Sequence, residues 1–116
     1  MKKEFLDYLD DIIEAMNDAT RFVEDVEYND FAEDRKTIYA VTRALEIMGE
    51  AVKKIPTTVK NRYPKIPWKE IAGMRDKVIH EYFGVDLRRV WNTVKKDMPE
   101  LKPAFEKIKK DFEPKT

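Results

Sequence analysis

Residues 5–26 read FLDYLDDIIEAMNDATRFVEDV, and the spacing of their apolar side chains decides the predicted fold class. Apolar residues recur at steps of three and four positions, at Phe5, Leu9, Ile12, Met16, Ala19, Val23 and Val26. Because an α-helix completes a turn every 3.6 residues, this spacing aligns the apolar side chains along one face. We therefore predict an amphipathic helix through residues 5–26.

A second apolar stripe predicts another long helix. It consists of Phe31, Ile38, Val41, Leu45, Met48, Val52 and Ile55. Asn29 and Asp30 precede most of this stripe, and we predict that they form a turn and a helix cap. Small and apolar residues at positions 40, 44, 47 and 51 form a further stripe, so this helix is predicted to contact neighbours on two sides.

Prolines and caps divide the remainder of the chain. Residues 56–66 are predicted to form a short helical turn and a connector, and Pro67 suits the first position of a new helix. Gly84 is placed to end that helix, Asp86 to cap the next one, and Pro99 to open the last. The prediction is an all-α, up-and-down bundle of four to five main helices, in one domain over residues 1–116 with its core in residues 5–110.

Composition excludes several classes of protein. The chain has 116 residues, 40% of them charged, with only three glycines, which favours helices over a turn-rich β fold. It has no cysteine, so disulfides and thiolate metal sites are excluded. Acidic residues interrupt the N-terminal region before a signal-peptide core could form, and no apolar run is long enough to span a membrane. We expect a soluble, cytoplasmic protein.

The net charge is zero, but acidic and basic residues are separated along the sequence. Residues 1–35 contain 4 basic and 12 acidic side chains, whereas residues 36–85 contain 10 and 5 and residues 86–116 contain 9 and 6. Solvated helix faces explain most single charges. The separation nevertheless permits a basic face that could bind a nucleic acid.

The stretch GMRDKVIHEYFGVD, residues 73–86, contains the only histidine of the chain, His80. On a helix Asp76 and His80, four apart, share a face, so the carboxylate can orient the imidazole. Arg75 and Tyr82, seven apart, share a different face. Arg75 and His80 are separated by about 140° around an ideal helix, so they converge only if the helix bends, the arginine reaches round, or a second subunit supplies one of them.

Residue types alone favour an ordinary structural role for this stretch. An aspartate and a histidine four positions apart are a common helix pair, and Tyr82 could be a core residue with its hydroxyl at the edge. A metal site is disfavoured, because one histidine without cysteines is a small ligand set.

A longer pattern resembles a known family. Arg75 precedes His80-x-Tyr82 by five positions, as in HEPN-domain proteins, where arginine precedes histidine by four to six. The strings ALEIMGEAVKKI (residues 44–55), YPKIPWKEIAGMRDKVIHEYFGVD (63–86) and VWNTVKKDMPELK (90–102) resemble the HepT toxins of HEPN/MNT toxin–antitoxin systems. The resemblance covers roughly residues 5–110.

The resemblance implies an all-α HEPN-like fold, a homodimer, and a metal-independent endoribonuclease site formed by Arg75 and His80 near the dimer interface. Asp76 is expected to orient His80. The family often has asparagine at this position, and the negative charge of Asp76 would weaken RNA binding unless His80 or Arg75 neutralises it.

The resemblance also implies that Tyr82 is the residue to which a cognate minimal nucleotidyltransferase (MNT) antitoxin attaches AMP from ATP. The chain would then be the toxin of a type VII-like system, with no cofactor of its own. Two alternatives remain at this point. One is a non-catalytic helical module that binds a nucleotidyltransferase, and the other is a helical assembly domain without chemistry.

Overall fold

The computed structural model describes residues 4–74 and 86–113, and these residues form α-helices joined by short connections, with no β-strand among them. The helices are α1 (Phe5–Phe22), α2 (Tyr28–Glu33), α3 (Arg35–Lys53), α4 (Thr57–Arg62), α5 (Trp68–Ala72), α6 (Leu87–Asn92) and α7 (Met98–Phe112), with a π-helical turn (Thr93–Asp97) between the last two. The predicted all-α bundle is confirmed.

The core is built from the two long apolar stripes that the sequence predicts, together with apolar residues of α7. Helix α1 packs against α3 and α7, and α5 packs against α3. Residues with no exposed surface lie on all three long helices and on α2, and they are Leu9, Ile12, Ala19, Phe31, Val41, Met48, Val52, Phe105 and Ile108. Burial of one large apolar side chain of this kind contributes about 1.5–3 kcal/mol, so these stripes hold the bundle together.

Helix α1 is shorter than predicted, because it ends at Phe22 rather than at Val26. Val23 is the C-cap, and Asp25 has a φ of 59°, which a continuing right-handed helix does not allow. Val23 is nevertheless buried and Val26 is half-buried. The apolar spacing therefore continues into a loop that packs on the core, and periodicity alone does not distinguish this loop from a last helical turn.

The predicted cap at Asn29 and Asp30 is wrong, because both residues lie within α2. The second long helix instead begins after Asp34, whose backbone is extended with a ψ of 92°. The Asp34 carboxylate accepts hydrogen bonds from the backbone N–H of Thr37 at 3.2 Å and from its hydroxyl at 2.6 Å. The bond from the backbone N–H satisfies a first-turn donor that has no partner within the helix. This cap separates α2 from α3, where the sequence predicts a single helix.

The C-terminal helices lie where they are predicted, but no break in the helical backbone separates them. Asp86 caps α6 as predicted, and Pro99 lies in the first turn of α7. The π-helical turn carries the helical backbone from α6 into α7 without an extended residue between them. Pro67 is the N-cap of α5 rather than its first residue. No helix within residues 4–74 and 86–113 is long and apolar enough to cross a membrane.

Candidate active site

Arg75, Asp76, His80 and Tyr82, the four residues predicted to form the site, lie outside the described residues. The expected pairing of Asp76 with His80, and of Arg75 with Tyr82, therefore stays a prediction. The structure does describe both flanks of this stretch, which are Met74 with the helix before it and Asp86 with the helix after it. These flanks are the described residues nearest to the motif on either side.

The leading flank is fixed to the core by α5. Ile71 is 1% exposed, and Met74 packs against the core from a half-buried position. The indole N–H of Trp68 donates a hydrogen bond to the Tyr63 carbonyl at 3.0 Å, and its ring meets the buried Phe105 ring edge-on at 5.5 Å. Helix α5 is thus held against α7, and Met74, the residue before Arg75, packs on the core.

The trailing flank is fixed by an aromatic cluster, which we define as Tyr28, Phe31 and Trp91. The Trp91 ring lies 5.1 Å from the Phe31 ring and 5.8 Å from the Tyr28 ring. The Arg88 guanidinium lies 3.7 Å from the centroid of the Tyr28 ring, a cation–π contact. Helix α6, the first described helix after the motif, is thereby held against α2.

The N-cap of α6 is the first described residue after the motif. The Asp86 carboxylate accepts a hydrogen bond from the Arg89 backbone N–H at 3.0 Å. We expect Asp86→Ala to lower the free energy of unfolding by about 1 kcal/mol. The substitution removes the carboxylate that accepts a hydrogen bond from the Arg89 N–H in the first turn of the helix. Chemical denaturation monitored by circular dichroism measures this loss.

Asp86→Asn is the matched control for this prediction. Asparagine is as good an N-cap as aspartate but carries no charge, so we expect it to retain most of the stability. A loss as large as that of Asp86→Ala would show that the charge of Asp86, rather than its hydrogen bond to Arg89, stabilises this flank.

The side chains with clearly shifted pKa values in the described part of the chain belong to caps and surface contacts. Hydrogen bonds from Thr37 lower the pKa of Asp34. The hydrogen bond from the Tyr63 hydroxyl lowers the pKa of Asp111, whereas burial and then that same bond raise the pKa of Tyr63. Each shift has a structural explanation and none indicates a catalytic acid or base.

Metal ligands do not cluster in the described residues. Across residues 4–74 and 86–113, no three His, Asp or Glu side chains are arranged to hold a metal ion. The prediction of a site without metal concerns residues 75–85 as well, and it stays a prediction.

Some contacts around the flanks could not be predicted from the sequence. The Tyr63 hydroxyl donates to the Asp111 carboxylate at 2.8 Å across 48 positions of the chain, and Lys95 donates to the Val23 carbonyl at 2.8 Å across 72. The Arg88–Tyr28 contact also joins residues that are far apart in the sequence. No local spacing signals such pairs, because they arise only when the helices pack.

Comparison with known families identifies the chain. The family model described as "Ribonuclease HepT-like" matches residues 12–108, which include the whole predicted motif. The chain belongs to the HepT-like ribonuclease family. The resemblance inferred from the sequence strings is thereby confirmed. The described residues also have the all-α architecture that the resemblance implies.

Individual relatives within the HepT-like family are similar over nearly the full chain. A protein of Thermococcus cleftensis named "Probable ribonuclease HepT" is 54% identical over 95% of this chain and 100% of its own length. "Putative RNase MJ1216" of Methanocaldococcus jannaschii is 52% identical over 98% of this chain and 94% of its own. "Putative RNase TTE0752" of Caldanaerobacter subterraneus subsp. tengcongensis is 45% identical over 87% and 90%. No solved structure gives a significant match.

Proposed function

We propose that the chain is a metal-independent endoribonuclease whose active site contains Arg75 and His80. The observation that carries this proposal is the match to a ribonuclease family over residues 12–108, a range that contains both residues at the motif spacing. Incubation of the purified chain with end-labelled RNA tests it. The proposal requires internal cleavage, and RNA that stays intact at any enzyme concentration would contradict it.

The chemistry of the two side chains suits RNA cleavage. A guanidinium such as that of Arg75 binds phosphate oxygens through two parallel N–H donors and stabilises the charge that builds on the phosphorus. The imidazole of His80 moves protons near neutral pH. The ribose 2′-hydroxyl attacks the phosphorus, the bond to the 5′-oxygen breaks, and a 2′,3′-cyclic phosphate remains. One proton leaves the 2′-oxygen and another reaches the 5′-oxygen.

A homodimer supplies both proton transfers from a chain with one histidine. On an ideal helix Arg75 and His80 would be separated by about 140°, so they would meet at one phosphate if the helix bends, the arginine reaches round, or a second subunit supplies one of them. We propose the last of these, in which a two-fold axis beside the motif brings two copies of each residue into one cleft. One His80 then acts as the base toward the 2′-hydroxyl, and the other acts as the acid toward the 5′-oxygen.

Asp76 has a positioning role in this proposal. Its carboxylate lies four positions before His80 and would hold the imidazole N–H that faces away from the substrate. This contact favours the protonated imidazole, and the imidazolium in turn neutralises the carboxylate beside the phosphate site.

Control of the enzyme is proposed to occur at Tyr82. A phenol is a competent nucleophile toward the α-phosphate of ATP when an enzyme positions the two, with pyrophosphate as the leaving group. We propose that an MNT-type nucleotidyltransferase antitoxin catalyses this transfer. The resulting AMP group places negative charge and bulk where RNA phosphates bind, so a toxin modified in this way is inactive.

Tyr82→Phe is expected to escape this inactivation, because it keeps the ring but removes the oxygen that accepts AMP. Co-expression with an MNT-type nucleotidyltransferase, followed by mass spectrometry, should show one added AMP on the wild-type chain and none on the variant. Cleavage assays should then find RNase activity in the variant preparation and little in the modified wild type.

Tyr39→Phe is the matched control, since Tyr39 is a described tyrosine that is 48% exposed. It should be modified and inactivated like the wild type. Addition of AMP to Tyr82→Phe, or loss of modification in Tyr39→Phe, would contradict the assignment of Tyr82.

A non-catalytic module that binds a nucleotidyltransferase is the second candidate function. The zero net charge and the carboxylate of Asp76 beside the motif arginine favour this alternative, because both oppose RNA binding. AMP on Tyr82 together with no cleavage by the unmodified chain would establish it in place of the RNase.

A further inference from the structure

A shallow cavity of about 280 Å³ lies between the loop that connects α4 to α5 and the side of α7. Its apolar lining includes Ile66, which is buried, and Ala104, which is half-buried. Three basic side chains, Arg62, Lys65 and Lys107, also line it. We call these three residues the basic rim.

Aromatic rings contact two residues of the basic rim, Arg62 and Lys107, and all three rim residues are exposed. The Arg62 guanidinium lies 4.8 Å from the centroid of the Phe112 ring, which itself meets the Phe5 ring edge-on at 5.1 Å. A guanidinium stacked on a ring keeps N–H donors free at its edge. The Lys107 side chain is 70% exposed, and Lys65 is exposed and forms no ion pair within residues 4–74 and 86–113.

Asp111 is the acidic group that contacts this rim. Its carboxylate accepts the Tyr63 hydroxyl at 2.8 Å and lies 3.4 Å from the Lys107 ammonium. Both contacts are made by the same carboxylate oxygen, Oδ2. Three cations against one carboxylate leave a local excess of positive charge, which suits a ligand that carries more than one negative charge.

Two other cavities among the described residues do not share this charge. The cavity between α1 and α7 is lined by Glu24 and Asp25 as well as by lysines, and its Lys95 is bound to the Val23 carbonyl. The cavity between α1 and α3 is lined by Asp11 and Glu50 beside Arg43 and Lys54. Of these three cavities, the one with the basic rim is lined by cations alone among its charged residues.

The basic rim lies next to the residues that lead into α5, the last described helix before the motif. Ile66 and Pro67 lead directly into α5, and two residues after α5 the chain reaches Met74, which precedes Arg75. The five residues of α5 span about 7.5 Å at the rise of an α-helix. The described chain between the basic rim and Met74 is therefore short.

We propose that Arg62, Lys65 and Lys107 bind the sugar–phosphate backbone of single-stranded RNA at this cavity, outside the catalytic motif. This inference rests on the proposed RNase function, because it supplies that enzyme with a substrate-binding surface. Contacts of this kind are electrostatic and independent of base sequence. They hold the strand while Arg75 and His80 act on one phosphate.

The test measures binding of a fluorescein-labelled RNA to the chain by fluorescence anisotropy. The RNA has about twelve uridines, a length within the site sizes of proteins that bind single strands. The His80→Ala substitution is present throughout, so that cleavage does not consume the probe. The test variant is Lys65→Gln with Lys107→Gln. The matched control is Lys36→Gln with Lys96→Gln, which removes two charges from exposed lysines of α3 and the π-helical turn.

Loss of two phosphate contacts should lower the slope of log K against log salt concentration by about 1.4, at about 0.7 for each contact with a single strand. If the parent and the test variant bind equally at about 1 M salt, this slope difference makes the test variant bind about 25-fold more weakly at about 0.1 M salt. We expect the control pair to bind within about threefold of the parent, since screened charges outside the contact surface act weakly.

Equal weakening in both pairs, unchanged binding in the test pair, or no RNA binding by the parent would each overturn the inference. Thermal denaturation of both pairs excludes loss of folding as the cause of weaker binding. Because the assay measures binding without cleavage, its result is separate from that of the proposed RNase function. A chain that binds RNA through Lys65 and Lys107 but does not cut it would contradict only the catalytic proposal.

Discussion

Replacement of His80 by alanine should lower the rate of RNA cleavage by about 10²- to 10⁴-fold, the usual contribution of a positioned general acid or base. The chain has no second histidine to substitute for it. Arg75→Ala should cause a loss of about 10²- to 10³-fold, since it removes a donor that stabilises charge in the transition state. Single-turnover cleavage of an end-labelled RNA measures both effects.

Arg43→Ala is the control for these variants. Arg43 is an exposed arginine on α3, 68% exposed in its side chain and 3.5 Å from the Glu46 carboxylate. Its removal changes the net charge as Arg75→Ala does, so we expect near-normal cleavage. If Arg43→Ala and Arg75→Ala lose activity equally, or if His80→Ala cleaves like the wild type, the assignment of the catalytic residues is wrong.

Phe31→Ala should be the most destabilising change within the aromatic cluster that holds the trailing flank. The Phe31 side chain has no exposed surface, and its ring contacts the rings of Tyr28 and Trp91 at centroid distances of 6.4 and 5.1 Å. Truncation of a buried phenylalanine costs about 3–5 kcal/mol through lost burial and the cavity it leaves. This is a large part of the 5–15 kcal/mol typical of a domain. Urea denaturation measures the loss.

Phe22→Ala provides the comparison for Phe31→Ala. Phe22 ends α1 and is 38% exposed, so alanine there leaves no enclosed cavity, and we expect a loss of no more than about 1 kcal/mol. Similar losses for the two variants would show that the aromatic cluster does not fix α6 to the rest of the bundle.

Helix existence could be predicted because apolar spacing is a local signal. The stripes from Leu9 to Ala19 and from Ile38 to Val52 are buried as their spacing predicts. Helix ends were harder to predict, since capping competes with periodicity. Asp34 ends one helix and starts another through a bond to Thr37, although the apolar spacing from Phe31 to Ile38 would suit a continuous helix.

The candidate site was predicted at the level of residue identity rather than geometry. The string around Arg75 and His80 identifies the family, because an arginine, a histidine and a tyrosine at fixed spacing within a long matching context are specific. The fixation of its flanks by Trp68 and Arg88 could not be predicted. Those contacts join helices that are far apart in sequence, and no local pattern encodes them.

The most direct measurement of the central claim is the chemistry of the RNA ends left by the purified wild-type chain in the presence of a metal chelator. We predict fragments with 2′,3′-cyclic phosphate and 5′-hydroxyl ends, because the proposed mechanism uses the 2′-hydroxyl as the nucleophile and requires no metal. RNA that stays intact in chelator but is cut after magnesium is added, or fragments with 3′-hydroxyl ends, would contradict it.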